Sequence, residues 1–175
     1  MTAPVAVFDG HNDTILKLEV AARLGRPHGF ANRLPGLDID LPRAREAGFA
    51  GGLSAMFTPS GAQSLLAGLD QADPQRFDPV DRETALGLTL AMFARMRRLA
   101  RDLPEDLELV GTAAAARAAI DEGRIAIVPH VEGAECIDTD LDTLEILHAA
   151  GLRSLGLVWS RPNAFGHGAP MARQP

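Results

Sequence analysis

One segment, Arg124-Ile125-Ala126-Ile127-Val128-Pro129-His130-Val131, constrains the fold of this chain more than any other. Its apolar run is nearly continuous. A strand with one wet face would alternate apolar and polar residues, so an unbroken run marks a strand covered on both faces, the usual state of parallel sheets. Pro129 cannot donate to a ladder, which suits a sheet margin better than a centre. Parallel neighbours need long crossovers, normally helical, and the rest of the chain supplies them.

Val5-Ala6-Val7-Phe8 reads as a short buried strand, and Thr14–Leu24 as a helix with Asp13 or Thr14 near its N-cap and Gly25 just past its end. Residues 26–36 hold two Pro and two Gly and read as a loop. Pro42–Ala47 is a short helix stopped by Gly48, and Phe49–Phe57 a second strand, weakened by its glycines. Thr58–Phe77 is a long connection of the kind that is often functional. Asp78-Pro79 is expected to open the clearest helix, with Leu86, Leu90, Phe93 and Arg97 at helical spacing, Met92, Met96 and Leu99 widening the apolar stripe, and Arg95, Arg97, Arg98 and Arg101 on the solvated face. Leu107–Val110 is a minor strand and Thr112–Asp121 an Ala-rich helix. Asp140–Ala150 is a helix with Leu141, Leu144 and Leu147 on one side, and Leu152–Val158 the last strand. Strands alternating with helices argue for an α/β fold with parallel strands.

Such folds place their chemistry at the carboxyl ends of the strands. Two motifs fall there. Asp9-Gly10-His11-Asn12-Asp13 follows the first apolar run and His130-Val131-Glu132-Gly133 follows the third. Residues i and i+2 of a strand share a face, so His11 and Asp13 present an imidazole beside a carboxylate. With Glu132 they form a candidate ligand set for a borderline divalent metal such as zinc. The bland alternatives are Asp13 as a helix cap and His130 as a hydrogen-bonded strand-end histidine. Glu135 and Asp138 read as loop acids, the latter contributing structurally, Cys136 as a small buried residue, His28 and His148 as solvent-facing, and Gly166-His167-Gly168 as a flexible loop.

The net charge is −6, no basic run exists, and there is no Tyr, which argues against nucleic-acid binding. No 18-residue apolar run suggests a membrane span. The single cysteine excludes an internal disulfide, and the opening residues show no signal-peptide pattern, so a cytoplasmic setting is expected.

Taken together, the motifs resemble the renal (membrane) dipeptidase family. Phe8-Asp9-Gly10-His11-Asn12-Asp13 resembles the family's opening D-G-H-N-D. Gly52–Phe57 resembles its second strand, and His130–Asp138 its E-G-x-x-x-I/L-D segment. Leu144–Ser160, containing Gly151-Leu152-Arg153-Ser154-Leu155-Gly156-Leu157, resembles the helix and strand that follow. The resemblance implies a (β/α)8 TIM barrel with a dinuclear zinc site that hydrolyses dipeptides by a metal-activated hydroxide. His11 and Asp13 would bind one metal and Glu132 would bridge both. A histidine-x-aspartate pair after the first strand disfavours other amidohydrolases, which carry histidine-x-histidine there.

A TIM barrel typically needs about 250 residues, so residues 1–175 are expected to form one partial barrel domain, about its N-terminal half. The family's two further histidine ligands and its late proton-handling acid have no counterpart here. His148 is mid-helix, and His167 stands at no matching position. Val158-Trp159-Ser160 occupies the place of a T-H-S segment whose histidine contacts substrate. No catalytic residue is therefore expected within this chain, and at most one well-formed zinc site. The expected partners are a small peptide substrate and either a second copy or a complementary C-terminal half. The competing reading is a non-catalytic, truncated half-barrel.

Overall fold

The computed structural model describes residues 5–61 and 74–169. Most of the long connection, residues 62–73, and the last six residues lie outside the described set. The elements run β1 (Val7–Asn12), α1 (Thr14–Arg23), α2 (Leu41–Ala47), β2 (Phe49–Phe57), a 3-10 turn (Pro74–Phe77), α3 (Arg82–Asp102), β3 (Leu107–Leu109), α4 (Ala113–Asp121), β4 (Ile125–Glu132), a 3-10 turn (Ala134–Cys136), α5 (Asp142–Ala150) and β5 (Ser154–Gly156). Every strand pairing is parallel.

The apolar run that dominates the sequence becomes β4, the hub of the sheet. β2 lies along one side of it, with Gly51↔Ala126 through Phe57↔Glu132 in register. β3 pairs its beginning, Ile125–Ile127, and β5 its end, His130–Glu132. β1 pairs β2. Ile125 and Ile127 pack with residues of α1, α2 and α3, and Val131 joins the main core of Met92, Phe93, Met96 and Leu147. Ala126 and Val128 turn to the opposite face and meet Ala115, Ala119 and Ile120 of α4. By the period of two, His130 and Glu132 point to that second face, beyond the end of α4.

The glycines of β2 are a requirement of this sheet, not a weakness. A Cβ on Gly51 would sit 2.4 Å from the Ala126 carbonyl oxygen, and one on Gly52 2.8 Å from that of Asp9. Side-chain caps start three helices: Asp40 accepts from Arg43 N, Asp81 from Thr84 N and Thr112 from Ala115 N.

The structure corrects five expectations about these elements. The first strand is not buried: Val7 and Phe8 are about half exposed, because β1 pairs only β2 among the described residues. The last strand is three residues long, since β3 already occupies the first part of the β4 edge. α3 starts at Arg82 behind Asp81, while Asp78 is held in the preceding loop, its carbonyl accepting from the Ser60 hydroxyl at 2.6 Å. The buried stripe of α3 is Ala85, Leu88, Thr89, Met92, Phe93 and Met96, with Leu90 exposed, and Arg95 is drawn inward to pair with the buried Glu19 at 2.8 Å. Leu141 is exposed, with φ +69°, immediately before α5.

Candidate metal centre

β1 and β2 lose register near the site. Asp9 pairs Gly52 and Asn12 pairs Ser54, so three steps on β1 oppose two on β2. The extra residue makes a bulge, a device that re-aims a side chain at a strand end. Gly10 and His11 fall in that stretch. The Asp9 carboxylate steadies it by accepting from Asn12 Nδ2 at 3.0 Å.

Asp13 follows at the mouth of α1, but it does not cap the helix: its side chain makes no cap hydrogen bond, and Asn12 Oδ1 accepts from Thr14 N instead, at 3.3 Å. Asp13 is thereby left free to face His11, with His11 Nε2 to Asp13 Oδ1 at 3.7 Å.

Glu132 arrives from the end of β4, and its Oε2 lies 3.4 Å from His11 Nε2. One ligand atom each from His11, Asp13 and Glu132 falls within a span of 4.8 Å. All three candidate residues from the sequence are thus brought together, from the ends of two strands that are not adjacent. An imidazole and two carboxylates make a donor set suited to a divalent cation.

The local electrostatics point the same way. Asp13 Oδ1 is buried and has no hydrogen-bond partner, a costly state for a carboxylate oxygen that a cation would relieve. Burial holds the Glu132 carboxyl above its ordinary value; His11 and Arg161 oppose this, while Asp13 and Glu135 reinforce it. Burial likewise pushes the His130 ring down, with the His11 charge adding to the effect. The two rings meet edge to face with centroids 5.7 Å apart, and His130 Nδ1 pairs with Ser154 Oγ at 2.8 Å. His130 is therefore a hydrogen-bonded strand-end residue beside the centre, as its sequence position suggested.

His28, His148 and His167 are exposed, and the structure does not bring them to this centre. Cys136 is buried, and Asp138 accepts from the backbone of Asp142 and Thr143 at the start of α5. Trp159 packs against Phe57 and Phe77 with centroids 5.0 and 5.6 Å away.

One feature escaped sequence reasoning. Glu135 is not a loop acid: it is buried and pairs with Arg161, itself fully buried, at 2.8 Å. A charge in a Pro/Gly-rich tail gives no periodic signal of burial, and only an unexplained acid beside a site carboxylate hinted at it.

A family-wide profile described as "Membrane dipeptidase (Peptidase family M19)" matches residues 1–174. A protein of Acinetobacter calcoaceticus, described only as an uncharacterized protein in the PQQ-III 3′ region, is 32% identical over 165 residues, covering 94% of this chain and 52% of its own length. Among solved structures, a metallopeptidase from Rhodobacter sphaeroides, liganded with a phosphinate mimic of the dipeptide L-Ala-D-Ala, is 37% identical. It superposes with a TM-score of 0.78 over 94% of this chain and 48% of its own. A second, dipeptidase AC, a metallopeptidase of the same family, gives 39% identity and a TM-score of 0.77, with 94% of this chain and 47% of its own covered. The chain thus spans about half the length of these relatives, and its parallel sheet corresponds to about half of their TIM barrel. By profile, by sequence and by superposition, the chain belongs to the membrane dipeptidase family, M19.

Proposed function

We propose that this chain is the N-terminal portion of a zinc-dependent dipeptidase, in which His11, Asp13 and Glu132 hold the metal. The observation that carries the reading is the convergence of one donor atom each from His11, Asp13 and Glu132 within 4.8 Å, together with a buried Asp13 Oδ1 that accepts no hydrogen bond. A divalent cation, when bound, supplies polarisation of a peptide carbonyl and acidification of water. The chain's own residues do the rest. His11 presents its donor from the β1 bulge and Asp13 from the start of α1 just beyond it. Glu132 offers a carboxylate whose desolvation favours neutralisation by a cation or a proton. His130, held by Ser154, flanks His11 without competing for the same position.

The same reading extends to the whole barrel. Residues 1–175 act as one partial domain, and the open edges of β1 and β5 take up the remaining strand–helix units from a complementary half, or from a second copy. Among the described residues only these three donors cluster, so the chain by itself is proposed to hold at most about one zinc ion and to have little dipeptidase activity. No helix among the described residues is long and apolar enough to cross a membrane, and a cytoplasmic setting belongs to the proposal. Equilibrium dialysis against zinc, followed by metal analysis, tests it. Binding of about one equivalent, lost in Glu132→Gln and in Asp13→Ala, is the expected outcome. Two tightly held ions, or turnover of a simple dipeptide by residues 1–175 alone, would show that the inventory of ligands is wrong.

A further inference from the structure

Three strands end around Glu132. β2 ends at Phe57, its register partner on one side, and β5 at Gly156, its register partner on the other. A single side chain reaches all three exits. Arg161, downstream of β5, donates through Nε to Glu135 Oε1 at 2.8 Å, in the turn that follows β4. It donates through Nη1 to Ser60 Oγ at 2.9 Å and through Nη2 to the Thr58 carbonyl, both in the segment leaving β2. Its guanidinium lies 4.9 Å from the centre of the Phe57 ring. The Ser60 hydroxyl passes the connection on to the Asp78 carbonyl. Arg161 and Glu135 have side-chain exposures of 0% and 2%.

Burial of such a pair is weak evidence of stabilisation. Removing two charges from water costs several kcal/mol per ion, and apolar replacements of similar volume are often neutral or stabilising. A rigid fork with donors in one plane is suited to holding several acceptors at fixed angles, which an ammonium cannot do. Here the fixed object is the turn bearing Glu132. Gly133 has φ +86°, and a Cβ there would lie 2.2 Å from Glu135 Oε2, so the carboxylate folds directly back onto the backbone beside Glu132. Gly133 N and Ala134 N donate to the carbonyls of Gly156 and Leu157 at 2.9 and 3.0 Å.

We propose that Arg161 is a positioning residue: with Glu135 it clamps the exits of β2, β4 and β5 and so sets the direction in which Glu132 meets His11 and Asp13. This rests on the reading of those three as a metal centre.

The test compares the full chain with Arg161→Lys and with the double variant Glu135→Leu/Arg161→Met. Zn2+ affinity is measured by calorimetric titration, thermal unfolding separately, and amide exchange at Gly133 and Ala134 without metal. Arg161→Lys should bind Zn2+ at least tenfold more weakly. The double variant, free of buried charge, should unfold near the wild-type temperature yet remain at least tenfold weaker. That split separates positioning from a structural role, and the double variant decides alone if Arg161→Lys fails to fold. A double variant that binds Zn2+ like the wild type overturns the proposal. If the wild-type chain itself binds no Zn2+, the metal reading falls and the clamp is judged by exchange. At least tenfold faster exchange at the two amides in the double variant upholds it, and unchanged exchange refutes it.

Discussion

At the scale of single residues, small side chains and paired charges decide most. Gly51 lies where β4 leaves no room for a Cβ, and the obstructing atom is the Ala126 carbonyl, part of the backbone and unable to rotate away. Gly51→Ala is therefore expected to destabilise the chain by about 1–3 kcal/mol, as overpacking of a well-packed core does, read as a lower urea midpoint. Asp13 shows the opposite case. Its position in the sequence suits a helix cap, yet Asn12 accepts the hydrogen bond from Thr14 N and leaves Asp13 facing His11. Sequence spacing offered both a cap and a ligand position, and the three-dimensional neighbours take the cap from Asp13 and leave its carboxylate beside His11.

At the scale of elements, α2 depends most visibly on a single cap. Asp40 is fully buried, and its carboxylate accepts from Arg43 N at 3.0 Å and Leu34 N at 3.1 Å and pairs with the Arg43 guanidinium. Burial alone would raise its pKa, but these hydrogen bonds and the Arg43 and Arg33 charges more than offset it, so the carboxyl titrates below its ordinary value. A lowered folded-state pKa gives stability that is complete above the unfolded value of about 3.9 and is lost as pH falls through the lower folded value. Asp40→Ala should cost about 0.5–2 kcal/mol at neutral pH, the usual range for an N-cap, with Leu34 N left unpaired besides. Its unfolding midpoint should also depend less on pH below 4 than that of the wild type, as denaturation followed by circular dichroism would show.

At the scale of the whole molecule, the five strands of the described residues form an open sheet. Val7 and Phe8 are exposed on β1, Val5 just before it and Leu157 beyond β5, and among the described residues β1 pairs only β2 and β5 only β4, so apolar surface lies at both edges. Under the proposed reading, co-expression with the C-terminal half of a related dipeptidase should yield a co-purifying complex with zinc-dependent activity. Phe8→Lys, which places a charge on the β1 edge, should weaken that complex in analytical ultracentrifugation while sparing the helix-side core. An unchanged association constant would place the contact elsewhere. What the sequence determined by itself was local and periodic: the unbroken run of β4, the glycine stops of the helices, and the polar motifs at two strand ends, whereas the caps expected at Asp13 and Asp78 gave way to their neighbours Asn12 and Asp81. These are set by backbone hydrogen bonding and by residues near one another in the chain. Tertiary structure decided the rest. It shortened β5 because β3 holds part of the same edge, drew Arg95 onto Glu19, and buried Arg161 against Glu135. It also brought Glu132 to His11 across 121 positions of sequence. Burial and long-range pairing depend on which surfaces meet, and a linear pattern carries no record of that meeting.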